Sequence, residues 1–272
     1  MATEQRDGIV GSLDDNVQRW APRVLAIVLT YGLWYGTASI FPENLMPYPV
    51  ETLGLAWGLY ASGAAIEQLI PTLSRIAVAF VCAMTIGILL GIAMGSTDFG
   101  QKYFSPFVVI GLALPSIALA AISRLIFGFT FIAPVIAATV AVFPFITVNI
   151  WKGVENVDQE LLEMSSAFDI SNRRLLRRVI IPNTAPSLFA AIRFGLALSW
   201  KVVTVVEVFA ASNGIGFMVS SAYDSFRFAE AFAWAVVFMV IVIFVEYLVL
   251  KPLERRMFEY RQDVELDLVG VR

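Results

Sequence analysis

Six stretches of this sequence run for the length of a bilayer crossing with few or no charges, and they constrain the fold more than any other feature. They cover residues 24–42, 76–97, 103–123, 131–151, 186–211 and 231–250. About twenty apolar residues in a helix cross a hydrocarbon core of ~30 Å. In that core each backbone polar group must be satisfied within its own segment, which selects the helix for runs of this kind. The uncharged run that starts at Leu125 is too long for one crossing. Gly128-Phe129-Thr130 reads as a turn, so the fourth span is expected to begin near Phe131. A further uncharged stretch, 52–66, has too few residues to cross and predicts an interfacial or re-entrant helix. Composition agrees. Hydrophobic residues make up 58% and charged residues 15%, whereas soluble domains sit near 45–50% and about 25%. The expectation is an all-α membrane protein with six transmembrane helices.

Six spans put both termini on one side. On that side fall Arg6, Arg19, Arg23, Lys102, Lys152, Arg173, Arg174, Arg177, Arg178, Lys251, Arg255, Arg256 and Arg261. The other side holds Arg227, with Arg75 and Arg124 at span edges. The excess of Lys and Arg in cytoplasmic loops then predicts cytoplasmic N and C termini. Residues 1–21 read as a polar cytoplasmic tail, 22–254 as the transmembrane domain, and 255–272 as a cytoplasmic C-terminal tail. The N-terminal run lacks the basic start and small-residue cleavage site of a secretory signal, so it is expected to stay as an anchor. No internal repeat is visible, so nothing in the sequence points to an inverted-repeat plan.

Several chemistries are excluded at once. The sequence has no histidine, which removes His-based triads and HExxH zinc sites. Cys82 is the single cysteine and can form neither an intrachain disulfide nor a thiolate cluster. No lysine follows a glycine, so a Walker A loop is absent, and ATP hydrolysis would fall to a partner chain. A net charge of −3 argues against nucleic-acid binding, which usually shows a basic patch. The chain is expected to be non-catalytic and to hold no cofactor of its own.

Most connections are short, but 152–182 is a long one between the fourth and fifth spans. Asp158 is a good N-cap, and Leu161, Met164 and Phe168 recur at helical spacing. Ser171 can cap a second short helix that carries four arginines and is expected to end at Pro182. The apolar face of the first helix suits docking into a groove on a partner. An amphipathic loop held to lipid headgroups by its arginines is the other reading.

The spacing resembles the coupling loop, or EAA motif, of bacterial ABC importer permeases. Glu163 stands at the Glu position, Met164-Ser165 replace the two alanines, and Asp169 replaces the glycine. Nine residues follow before Val179-Ile180-Ile181-Pro182. Leu73-Ser74-x5-Phe80, Trp200-x6-Glu207, the run from Ser212 to Phe217 and Leu253-Glu254-Arg255-Arg256 are similar to segments of one branch, the permeases for nitrate, taurine and aliphatic sulfonates. The resemblance covers roughly residues 55–262. It implies a type I importer permease architecture and a dimer of permease copies. It also implies two cytoplasmic ATPase subunits, which carry the ATP and Mg, and a periplasmic substrate-binding protein. Glu163, Met164, Ser165, Phe168, Asp169 and Pro182 would then form the ATPase-coupling surface.

The fifth span carries Arg193, Lys201 and Glu207, and ionisable residues inside a membrane face protein or water by default. At 100° per residue, Arg193, Lys201, Thr204 and Glu207 fall within one stripe of roughly 120°. Lys201, with Arg124, is a candidate to line a route for an anionic solute, together with Thr204 and Glu207. Alternatively, both cations are satisfied by neighbouring helices, Lys201 by Glu207 through water, and the arginines snorkel. A stand-alone secondary transporter or channel that uses Lys201 and Glu207 is the rival function. A membrane anchor or sensor would need no such stripe. Pro115 and Pro144 are expected to kink the third and fourth spans. Gly87, Gly91 and Gly95 form a small-xxx-small stripe, expected to be a helix contact within the bundle.

Overall fold

The computed structural model describes residues 4–42, 45–157, 164, 167, 168 and 170–252. Among them every regular element is helical. In chain order these are α1 (Glu4–Ile40), α2 (Pro49–Ala61), α3 (Ala64–Ser96), α4 (Asp98–Ala113), α5 (Ser116–Phe127), α6 (Ile132–Glu155), α7 (Asn172–Leu175), α8 (Ile181–Ala210), α9 (Ile215–Asp224) and α10 (Phe228–Val245). Four stretches are long and apolar enough to cross a membrane: Ala64–Ser96, Ile132–Glu155, Arg177–Ala210 and Phe228–Leu248. A fifth is possible only if α4 and α5 count together, and these are bent by 97°. The run expected as the first span, 24–42, lies on α1. Polar and aromatic residues such as Thr30, Tyr31, Trp34 and Tyr35 dilute its hydropathy, and α1 does not join those four.

The third expected span is therefore not one straight helix. Pro115 has no N–H to donate and disfavours the helical region for the residue before it. Leu114 accordingly sits in extended backbone (φ −71°, ψ 121°), as does Pro115 (φ −66°, ψ 134°). A kink was expected at Pro115, and the helix instead breaks there. At Pro144 α6 continues as one helix, and Pro144 serves as a packing surface. A Cβ on Gly111 of α4 would lie 2.5 Å from its Cγ. The stretch 52–66 is also resolved. It splits into α2 and the start of α3 at Gly63, which is left-handed (φ 82°). α2 lies against α10, where the Tyr60 hydroxyl donates to the Val237 carbonyl at 3.1 Å.

The bundle is built around α3, α6 and α8, whose mutual packing is the most extensive in the chain. Lipid is as apolar as leucine, so helices in a membrane associate through close packing rather than through escape from water. The glycine stripe of α3 does this. A Cβ at Gly87, Gly91 or Gly95 would sit 2.5–2.6 Å from Ile146, Ile150 or Val154 of α6, respectively. Both stripes advance four residues at a time, so each branched side chain fills the notch left by one glycine. Gly195 of α8 closes on the same Ile146 at 3.0 Å, and this ties the third helix to the pair. α1 is peripheral. From residue 20 onward most of its apolar side chains are exposed, and Trp34 anchors it through its indole N–H to the Pro47 carbonyl at 3.1 Å.

Gly91→Val is therefore expected to destabilise the purified protein by about 1–3 kcal/mol or more through overpacking. Gly32→Val on α1, where a Cβ meets nothing within 4 Å, should leave the thermal transition in detergent nearly unchanged. Equal melting of the two variants would remove the glycine stripe from the packing.

Candidate functional site

The most developed polar site lies where α8 ends, and Glu207 is its centre. Glu207 is fully buried and Arg75 of α3 is 2% exposed. Their contact is an ion pair at 2.6 Å between Arg75 Nη1 and Glu207 Oε1. A buried charge needs every lone pair matched, and the surroundings supply the match. Thr72 donates to Glu207 Oε2 at 2.9 Å, and the Gly216 N–H donates to the same oxygen at 3.1 Å. Arg75 donates in turn to the Asn213 carbonyl at 2.9 Å and to the Asn213 side-chain oxygen. Its face also lies 5.6 Å from the Phe131 ring centroid.

The partners explain why the segment Ser212 to Phe217 turns as it does. The first N–H groups of a helix have no intrahelical acceptor. At α9 they are taken by side chains from other helices: Gly214 N–H by Gln68 at 2.9 Å, Ile215 N–H by Thr72 at 2.9 Å, and Gly216 N–H by Glu207. The Glu207 carboxylate thus caps the positive end of α9. Gly214 has φ 102°, and a Cβ there would sit 2.6 Å from Glu207 Oε1. Only glycine fits both the backbone and the space. The site is a three-way latch that joins α3, α8 and the start of α9.

The stripe read along the fifth span separates in three dimensions. Glu207 faces inward onto Arg75. Thr204 is half-buried and donates to the Trp200 carbonyl at 2.8 Å. Arg193 pairs with Glu246 at 3.2 Å. Lys201 is exposed and makes no hydrogen bond or ion pair among the described residues. It lines a cleft of about 370 Å³ between α8 and α10. Arg124, on α5, is exposed beside a second cleft of about 600 Å³. It donates to the Phe209 carbonyl at 3.1 Å and covers the Phe129 ring at 4.3 Å. Lys201 and Glu207 are therefore not partners. The partner of Glu207, Arg75, had been placed at a span edge. The signal for it was present, since an arginine and a glutamate in two different apolar runs each need a counter-charge.

Of the candidate coupling residues, Glu163, Ser165 and Asp169 lie outside the described residues, as does Asp158. Met164 and Phe168 are 53% and 75% exposed, and the Phe168 N–H donates to the Met164 carbonyl at 3.1 Å. Ser171 opens the second short helix, its carbonyl accepting from Arg174 N–H at 2.8 Å and Leu175 N–H at 3.0 Å. That helix does not end at Pro182. It passes through a π-helical turn, Leu176–Ile180, directly into α8, and Pro182 occupies the first turn of α8. A first helical turn tolerates the missing N–H of proline, and the wider π turn accommodates the change of register before it.

The fold and the latch together define a polytopic helical membrane protein in which α3, α6 and α8 form the packed centre. Residues 83–259 match the family described as binding-protein-dependent transport system inner membrane component, and the chain belongs to it. It is an ABC transporter permease, a membrane-spanning and non-catalytic transport component of the inner membrane. It is 29% identical over 214 residues to a protein named as an aliphatic sulfonates transport permease, SsuC of Escherichia coli (strain K12), which covers 76% of this chain and 81% of the relative. It is 25% identical to the taurine transport system permease protein TauC of the same strain, over 89% of each. The fold is shared with a chain of the inward-facing MetNI methionine ABC transporter (TM-score 0.62, 20% identity, 70% of this chain and 94% of that one).

Removing one partner of the buried pair leaves the other uncompensated, at a cost of about 3–5 kcal/mol. Arg75→Met and Glu207→Leu are each expected to lower the melting temperature strongly. The double variant should melt above what the two losses sum to. Additive losses would mean that the two residues do not act as a pair.

Proposed function

We propose that this chain is the permease subunit of an ATP-driven ABC importer, and that two copies form the route for a small anionic solute. A periplasmic binding protein delivers the solute, and two cytoplasmic ATPase subunits, which hold ATP and Mg, power the cycle. Both termini then face the cytoplasm, with the arginines of the 152–182 connection at the lipid headgroups. The observation that carries this reading is the connection itself: its sequence resembles the coupling-loop pattern and it lies between α6 and α8. Its Met164 and Phe168 are exposed apolar side chains in a predominantly polar segment, as groove docking requires. Glu163, Ser165 and Asp169 complete that surface, and Pro182 starts the helix that carries the motion inward.

The packing supplies a mechanical route. α6 is keyed to α3 by three glycine contacts, and α8 runs 30 residues, about 45 Å. A push on the connection displaces α6 and α8 as rods, because close-packed interiors transmit strain. At the far end of α8 the latch passes the displacement to α3 and α9. The names of SsuC and TauC, which refer to aliphatic sulfonates and taurine, support a solute that carries an anionic head group. The rival secondary transporter needs Lys201 and Glu207 on a common route, and the burial of Glu207 on Arg75 does not favour it.

Affinity purification in mild detergent should bring down an ATP-binding cassette protein in equimolar amount, read by mass spectrometry. A protein that purifies alone and still moves solute in liposomes would overturn the proposal. Glu163→Ala should abolish ATP-dependent uptake while insertion and yield stay normal. Normal uptake would remove Glu163 from coupling.

A further inference from the structure

The cleft between α8 and α10 holds the one cation of α8 that the fold leaves without a counter-charge. Its floor is apolar, with Trp200 packed on Phe238 (ring centroids 5.7 Å apart) and Met239 and Val242 beside them. Lys201 lines it, and so does Glu246, but Glu246 is already held by Arg193 at 3.2 Å. Neither the Lys201 ammonium nor the Trp200 indole N–H has a hydrogen-bond acceptor among the described residues. Arg75 and Arg124 differ, since the first has Glu207 and Asn213 and the second the Phe209 carbonyl and the Phe129 face. Lys201 lies on a helix apolar enough to span the membrane. A cation exposed there with no partner is costly unless water or a counter-ion reaches it.

We propose that this cleft is a binding site for a monoanion with an apolar body, its charged head on Lys201 and its body against Trp200, Phe238 and Val242. A volume of about 370 Å³ suits a compact organic ion. Charge complementarity with Lys201, the one cation among the described residues of the cleft lining, selects a single negative head. A bare inorganic anion would leave the aromatic floor unfilled. That the occupant is the transported solute rests on the permease reading; the existence of the site does not.

The test uses the permease in lipid nanodiscs, with whatever cassette protein accompanies it, and labelled butane-1-sulfonate in equilibrium dialysis. The expected result is saturable binding, one site per chain, against which butane-1-sulfonamide does not compete. Lys201→Met should weaken it about tenfold or more, as loss of a charged hydrogen bond does, and Lys201→Arg should retain it. Variants are compared only where they elute as single species. No saturable binding, or equal binding in Lys201→Met, overturns the site. So does a phospholipid that native mass spectrometry finds held through Lys201 and that the probe does not displace. So does a disulfide between copies carrying Lys201→Cys and Cys82→Ser, which would make the cleft a subunit contact. The cassette protein is scored in the same sample. Its presence with unchanged binding in Lys201→Met refutes the site alone, and its absence with Lys201-dependent binding refutes the permease reading alone.

Discussion

The ion pair between Arg75 and Glu207 joins α3 to the end of α8 at a buried point. Both charges are buried; Glu207 also accepts from Thr72 and the N–H of Gly216, and Arg75 donates to Asn213, while the Arg75 Nε–H has no acceptor among the described residues. Such a pair is weak evidence for net stability, because removing two charges from water costs several kcal/mol per ion. Its value is in registry. A shift of α8 along α3 by one turn would leave both charges unpaired and open the N-terminus of α9. The latch therefore fixes the axial position of α8, while the glycine contacts of α3 with α6 fix the distance between helices. One interaction sets height and the other sets separation.

Under the proposed function, this division suits a machine driven from one end. The π turn at Leu176–Ile180 joins the arginine-bearing helix to α8 without a loop, so a force applied at the connection is not absorbed by slack. The apolar contacts along α6 and α8 carry no directional bonds and tolerate sliding on a small scale. The latch does not, because its geometry is set by hydrogen bonds. Lys201 sits between these regions, about a third of a turn around α8 from Glu207, where it lines the cleft with α10.

Much of the fold was legible in the sequence, and the limits have physical causes. Apolar length with few or no charges located α3, α6, α8 and α10 because burial in lipid demands it. The same criterion picked out α1, whose tyrosines, tryptophans and threonines leave it less apolar than those four. It also merged α4 and α5, because hydropathy is blind to the bend that Pro115 imposes. The glycine stripe was readable as a helix contact from its four-residue repeat. Its partners Ile146, Ile150 and Val154 were not, since a partner stripe of branched residues resembles any lipid-facing surface. Glu207 was visible as a charge that needed an answer. The answer, Arg75, lies 132 residues away in sequence, and spacing rules reach only along one helix. Pro182 misled for a related reason: proline ends most helices, and here a π turn lets it begin one.

The coupling of the 152–182 connection to an ATPase is tested most directly by position-specific cross-linking in membranes. A single cysteine is introduced as Phe168→Cys in a Cys82→Ser background, with Phe226→Cys at the α9–α10 turn as the control. The expected result is a cross-link from position 168 to an ATP-binding cassette protein, changed in yield by ATP, and none from position 226. A cross-link from 226 but not from 168, or one from 168 to lipid alone, would contradict coupling through this connection.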